Sequence, residues 1–101
     1  MTKKILLACA GGFSTSMLVE KMKESALAKG LEVVIDACGE GDLENNLPAD
    51  IIMLGPQMGH AEDSVREKVD ASVPVTVIDM MDYGMMDGEK VLNTALNLIK
   101  I

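Results

Sequence analysis

The sequence predicts an α/β fold: a four-stranded parallel sheet in the order 2-1-3-4, with helices on both faces. Three observations carry this. Short aliphatic runs alternate with segments of helical periodicity, as in sheets built from crossover units. Two of those runs, residues 3–8 and Ile51–Leu54, are almost continuously apolar and suit central strands buried on both faces. Right-handed crossovers then leave few topologies, and placing the second and fourth strands at the edges puts the topological switch between strands 1 and 3. Ligands bind at the C-terminal strand ends around such a switch. Cys9, Gly55-Pro56-Gln57 and Asp79 fall there.

Each element follows in turn. Residues 3–8 form strand 1. An amphipathic pattern from near Met17 predicts a helix with Leu18, Met22 and Ala26 inward, ended by Lys29 and Gly30. Residues 32–37, centred on Val33-Val34-Ile35, read as strand 2, and residues 42–46 as a short helical turn before Pro48. Strand 3 is stopped by Gly55-Pro56, because proline cannot donate to the ladder. Met58, Ala61, Val65 and Val69 recur at helical spacing and predict a second long helix. Residues 74–78 form strand 4, and residues 79–83 hold a short helical turn. Asp87 caps a last helix with Val91, Leu92, Ala95, Leu98 and Ile99 inward.

Composition narrows the function. The 101 residues suit one domain, residues 1–101, with a modest core. With one Phe, one Tyr and no Trp, that core must be aliphatic, drawing on nine methionines. A net charge of −7 argues against nucleic acid and against a basic membrane-surface anchor. No apolar run approaches the ~20 residues that span a bilayer. The apolar stretch after Lys3-Lys4 is too short for a signal peptide and enters a glycine loop. Cys9 and Cys38 are expected to be cytosolic thiols, and one histidine with no CxxC pair supports no metal site.

The chain is organised around Cys9-Ala10-Gly11-Gly12-Phe13-Ser14-Thr15-Ser16. A cysteine ending a strand, two glycines, then hydroxyl residues opening a helix is the layout of an anion-binding loop. Glycines let backbone N–H groups turn inward, and the helix aims its free amides and positive dipole end at the same point. That field would also lower the pKa of Cys9 and make it nucleophilic. Ser14, Thr15 and Ser16 have a capping role open to them as well as an anion contact. Gln57 stands at the exit of strand 3, where touching the loop and steadying the turn are equally open to it. His60 lies a helical turn beyond and is read as a surface residue; Cys38, just past strand 2, is read as a bystander. Met17 is assigned to the core. Phe13, with Met58, Met85 and Met86, is assigned to a flexible contact surface for partners.

This loop resembles the phosphorylation loop of the enzyme IIB components of the bacterial sugar phosphotransferase system, lactose/cellobiose family. The cysteine, the second glycine and the Ser-Thr-Ser tail stand in register with a Cys-Ser-Ala-Gly-Met-Ser-Thr-Ser pattern. Leu54-Gly55-Pro56-Gln57 and Asp79…Tyr83-Gly84…Asp87-Gly88 also match at the family's distances, so the likeness covers essentially the whole chain. It implies a phosphate-binding loop after strand 1, made of Ala10, Gly11, Gly12, Phe13, Ser14, Thr15 and Ser16, with Gln57, Asp79 and Tyr83 as neighbours. It implies a protein-phosphocysteine–sugar phosphotransferase without cofactor or metal. Cys9 would take a phosphoryl group from phosphohistidine on a IIA protein. It would pass that group to a sugar, such as cellobiose or diacetylchitobiose, bound to a membrane-embedded IIC permease. The protein is expected to be cytoplasmic and monomeric on its own, and to act at the inner face of the membrane through its permease.

Three other readings compete. A low-molecular-weight tyrosine phosphatase or arsenate reductase needs an arginine separated from the cysteine by five residues, where Thr15 stands, and an Asp-Pro acid that this chain lacks. An aspartate-phosphorylated receiver needs an acidic pair after strand 1, and Cys9-Ala10 occupies that place. The third alternative is a non-catalytic, thiol-containing binding domain.

Overall fold

The computed structural model describes residues 2–9 and 13–99, with the side chains of residues 13–15 and 40 outside that description. Strand β1 (Lys3–Cys9) leads to helix α1 (Phe13–Ala28) and strand β2 (Val33–Gly39). A 3₁₀ helix (Glu40–Asn46) precedes β3 (Ile51–Leu54), and a second (Pro56–Ala61) runs into α2 (Glu62–Lys68). Then come β4 (Val75–Val77), α3 (Met80–Gly84) and α4 (Gly88–Ile99). The strands pair in parallel in the order β2-β1-β3-β4, as the apolar pattern predicts.

Period-two alternation divides the core. Ile5, Leu7, Ile35, Ile51 and Met53 pack with Leu18, Met22, Val91, Leu92 and Ala95 from α1 and α4. Leu6, Ala8, Ile52 and Leu54 face the other way, onto Leu43, Met58, Ala61 and Val65. Burial holds α1 in place. Leu18 and Met22 are fully enclosed and contribute about 1.5–3 kcal/mol each. The exposed Lys23–Glu20 pair, at 4.0 Å, adds at most a few tenths. α1 ends as predicted: Gly30, at φ 68°, lets Leu31 N–H reach Ala26 C=O and Gly30 N–H reach Leu27 C=O.

Several expectations need correction. α1 starts at Phe13, four residues before Met17, so Ser14, Thr15 and Ser16 lie inside its first turn. Periodicity registers a helix only where it meets the core, and that begins at Leu18. Met17 is 59% exposed because it lies off the Leu18–Met22–Ala26 stripe, whereas Met58 is buried and forms no outer surface. β2 runs on to Gly39, since its ladder with β1 continues through Ala8–Cys38 and Cys9–Gly39; Cys38 is therefore a strand residue. The second long helix is a 3₁₀ helix followed by a short α-helix. Three residues per turn bring Met58 and Ala61 to one face, and the α-turn then brings Val65 to it. Val69 is already extended, at φ −120°. Leu98 is 42% exposed. The last turn of α4 reaches the N-terminal end of the sheet, and Leu98 lines an open cleft there with Lys3, Asp50 and Pro74.

Candidate functional site

Cys9 is the last residue of the central strand β1, and α1 opens four residues later. The thiol therefore stands at the C-terminal edge of the sheet, on one of the two strands that flank the topological switch. Both neighbours across it are glycine. Gly39 pairs with Cys9 on β2, and Gly55 follows β3, its N–H donating to Ala8 C=O at 3.0 Å. Gly55 leaves room there: a Cβ at that position would lie 3.0 Å from Cys9 Cβ and 3.2 Å from Gln57 Oε1, closer than side chains usually pack. The amide end of Gln57 thus lies against Gly55, although Gln57 is an exposed residue. Composition gave no signal for Gly39; only the register with β1 identifies it.

Cys9 is 1% exposed and packs with Leu6, Ala8 and Leu54. Cys38 is half-buried beside the same cluster, and both residues are thiols. Burial first, then the Asp42 carboxylate and Cys9, push the Cys38 thiol above its ordinary value of 9.0; Lys4 acts the other way. Cys38 is thus held as the neutral thiol at neutral pH. Its folded pKa lies above the unfolded one, so the linked stability is complete below the unfolded value and lost as pH rises through the folded value. Native-state alkylation of Cys38 is expected to stay slow up to about pH 8.5, the usual thiol range. In denaturant it should proceed there at an ordinary thiol rate. Equal rates in the two states would remove the effect.

The remaining predicted site residues are spread out. Ala10, Gly11 and Gly12 lie outside the described residues, as do the side chains of Phe13, Ser14 and Thr15. Ser16 is exposed in the first turn of α1. Asp79 caps α3, its carboxylate accepting from the N–H groups of Met81 and Asp82 at 3.0 and 3.2 Å. Tyr83 is half-buried and packs on the α1/α4 side of the sheet, away from the cluster that holds Cys9. His60 is exposed in the 3₁₀ helix after β3. Among the described residues no three of His, Cys, Asp and Glu gather to hold a metal ion, and no helix is long and apolar enough to cross a membrane.

The family model for the PTS system lactose/cellobiose-specific IIB subunit matches residues 4–94. The chain belongs to that family. This IIB chain is 46% identical over 99 residues to the PTS system oligo-beta-mannoside-specific EIIB component of Bacillus subtilis, covering 96% of each chain. It is 44% identical over 104 residues to the PTS system galactose-specific EIIB component of Lactococcus lactis, again with 96% of each covered. The solution structure of the cellobiose-specific phosphotransferase IIB component from Borrelia burgdorferi superposes with a TM-score of 0.81 at 34% identity. That match covers 99% of this chain and 94% of the other. The IIB chain is accordingly the sugar-specific EIIB component of a phosphotransferase.

Proposed function

We propose that Cys9 is the phosphoryl acceptor, taking the group from phosphohistidine on a IIA protein and passing it to a sugar on a membrane-embedded IIC permease. The seat of Cys9 carries this reading: the end of the central strand at the switch, flanked by Gly39 and Gly55, with the start of α1 four residues away. A thiolate there attacks phosphorus, the histidine nitrogen leaves, and backbone amides at the helix start take up the phosphoryl charge. Thiolate is also a good leaving group, so the phosphocysteine passes its phosphoryl on. Ala10, Gly11, Gly12, Phe13, Ser14, Thr15 and Ser16 form the cradle, and Gln57 borders it. Asp79 and Tyr83 shape the same end of the sheet from farther off.

Residues 1–101 act as one IIB domain, monomeric by itself and cytoplasmic, working at the inner membrane face through the permease. The proposed sugar is a β-linked disaccharide such as cellobiose or diacetylchitobiose. Its choice rests with the permease: the relatives named above carry three different sugar names at comparable similarity. Incubation with phosphorylated IIA, followed by intact mass and site mapping, tests the acceptor. One phosphoryl group on Cys9 is expected, and a modified residue elsewhere overturns the proposal.

Gly55→Ala probes the geometry. The added methyl meets Cys9 Cβ at 3.0 Å, so the thiol must yield by some tenths of an ångström. Misplacing a reacting group by about an ångström costs on the order of a hundredfold. Transfer is expected to slow by about tenfold or more at a nearly unchanged melting temperature. Single-turnover transfer measured beside a thermal melt separates the two, and normal transfer would show that the space beside Cys9 is not needed.

A further inference from the structure

We propose that Cys38 is a resolving thiol for Cys9, so that hydroperoxide closes a reversible Cys9–Cys38 disulfide and blocks phosphoryl acceptance. The placement carries this. Cys38 pairs with Ala8 across the β1–β2 ladder, and Cys9 is the next residue along. Strands about 4.8 Å apart, rising about 3.3 Å per residue, put such a diagonal pair of Cα atoms roughly 5.8 Å apart. Disulfides span about 4.4–6.8 Å between Cα atoms.

Regular alternation would turn Cys9 to the α1/α4 face, with Ile5 and Leu7. Instead it packs with Leu6 and Ala8, the cluster against which Cys38 also rests. The residue directly opposite Cys9 is Gly39, so no side chain stands on β2 at that level. Cys9 ends its strand. The functional consequence rests on the reading of Cys9 as acceptor; the bond itself does not.

The chemistry balances in two steps. Cys9 thiolate attacks the peroxide, the O–O bond breaks, and the leaving oxygen takes a proton. The sulfur becomes sulfenic acid and the peroxide is reduced by two electrons. Cys38 sulfur then attacks Cys9 sulfur: S–S forms, S–O breaks, and hydroxide departs as water with the Cys38 proton. Reduction by an external dithiol restores both groups. Burial and the nearby Asp42 carboxylate push the Cys38 thiol up, which disfavours Cys38 as the first target of peroxide.

The test treats reduced wild-type protein and Cys38→Ser with hydrogen peroxide, then reads intact mass and non-reducing peptide maps. Wild type should lose two hydrogens and yield a Cys9–Cys38 cross-linked peptide. Its phosphoryl acceptance should vanish and return fully with dithiothreitol. Cys38→Ser should accept normally while reduced, gain oxygen atoms at Cys9 under peroxide, and not recover with dithiothreitol. Oxygen gained at Cys9 equally in both proteins, or covalent dimers in place of the internal bond, overturns the proposal. If the bond forms but reduced protein accepts no phosphoryl group, the thiol pair stands and the acceptor reading falls.

Discussion

Cys9→Ser is expected to abolish phosphoryl acceptance, with residual labelling at least about a thousandfold below wild type, because an alcohol supplies almost no anion at neutral pH. Cys38→Ser should label normally. The two cysteines sit one residue apart across neighbouring strands, so the comparison is a demanding one: proximity alone cannot distinguish them. What does is position. Cys9 ends its strand four residues before α1 begins, while Cys38 lies within β2 with its thiol pushed up by burial and by Asp42. Since Cys9 is nearly fully enclosed, a serine hydroxyl there costs about 1–3 kcal/mol, and a thermal melt must show that the variant is folded. Labelling that survives Cys9→Ser and disappears in Cys38→Ser would reverse the assignment.

The largest stability effect is expected at Gly88, where α4 begins against the middle of α1. A Cβ on Gly88 would stand 2.5 Å from the Lys21 carbonyl carbon and 2.6 Å from both Lys21 Cβ and Met22 N. Two of those three atoms are backbone, so no rotamer change relieves the clash and the helices must separate. On propensity alone Gly→Ala in a helix gains up to about 1 kcal/mol. Overpacking outweighs that here, and Gly88→Ala should lose about 3 kcal/mol. That lowers the melting temperature by more than about 10 °C for a domain of this size. The molecules that remain folded should accept phosphoryl groups at the normal rate. An unchanged or raised melting temperature would mean that α1 and α4 have slack between them.

The strands were legible because burial on both faces leaves only apolar residues, as in Ile51–Leu54, and that pattern needs no partner to be seen. The cap of α4 was legible for a similar reason: Asp87 accepts from the Lys90 N–H three residues ahead, a local interaction written in the local sequence. The misses all depended on distant partners. Cys38-Gly39 reads as lying just past strand 2 until β1 supplies a ladder for it. A 3₁₀ helix leading into an α-helix cannot be told from one long helix when Met58, Ala61 and Val65 satisfy both. Methionine fills core gaps and contact surfaces alike, so the sequence places Met17 and Met58 in each other's environments. At the site, the cysteine-glycine-hydroxyl order pointed to Cys9. The flanking pair Gly39 and Gly55 emerges only once the register is known.

The strand that carries Cys9 precedes the other three in the chain and is an inner one in the finished sheet. During synthesis β1 therefore has no stable place to go. Its first neighbour, β2, begins at Val33, and its second, β3, not before Ile51. Even the hydrogen bond from Lys4 N–H to Asp50 spans 46 residues. Closing loops of that length precedes the contacts that reward it. Until the segment through Gly55 has left the ribosome, the Cys9 thiol lacks one of its two flanking strands, and its surroundings become those of the mature domain only once β3 has emerged.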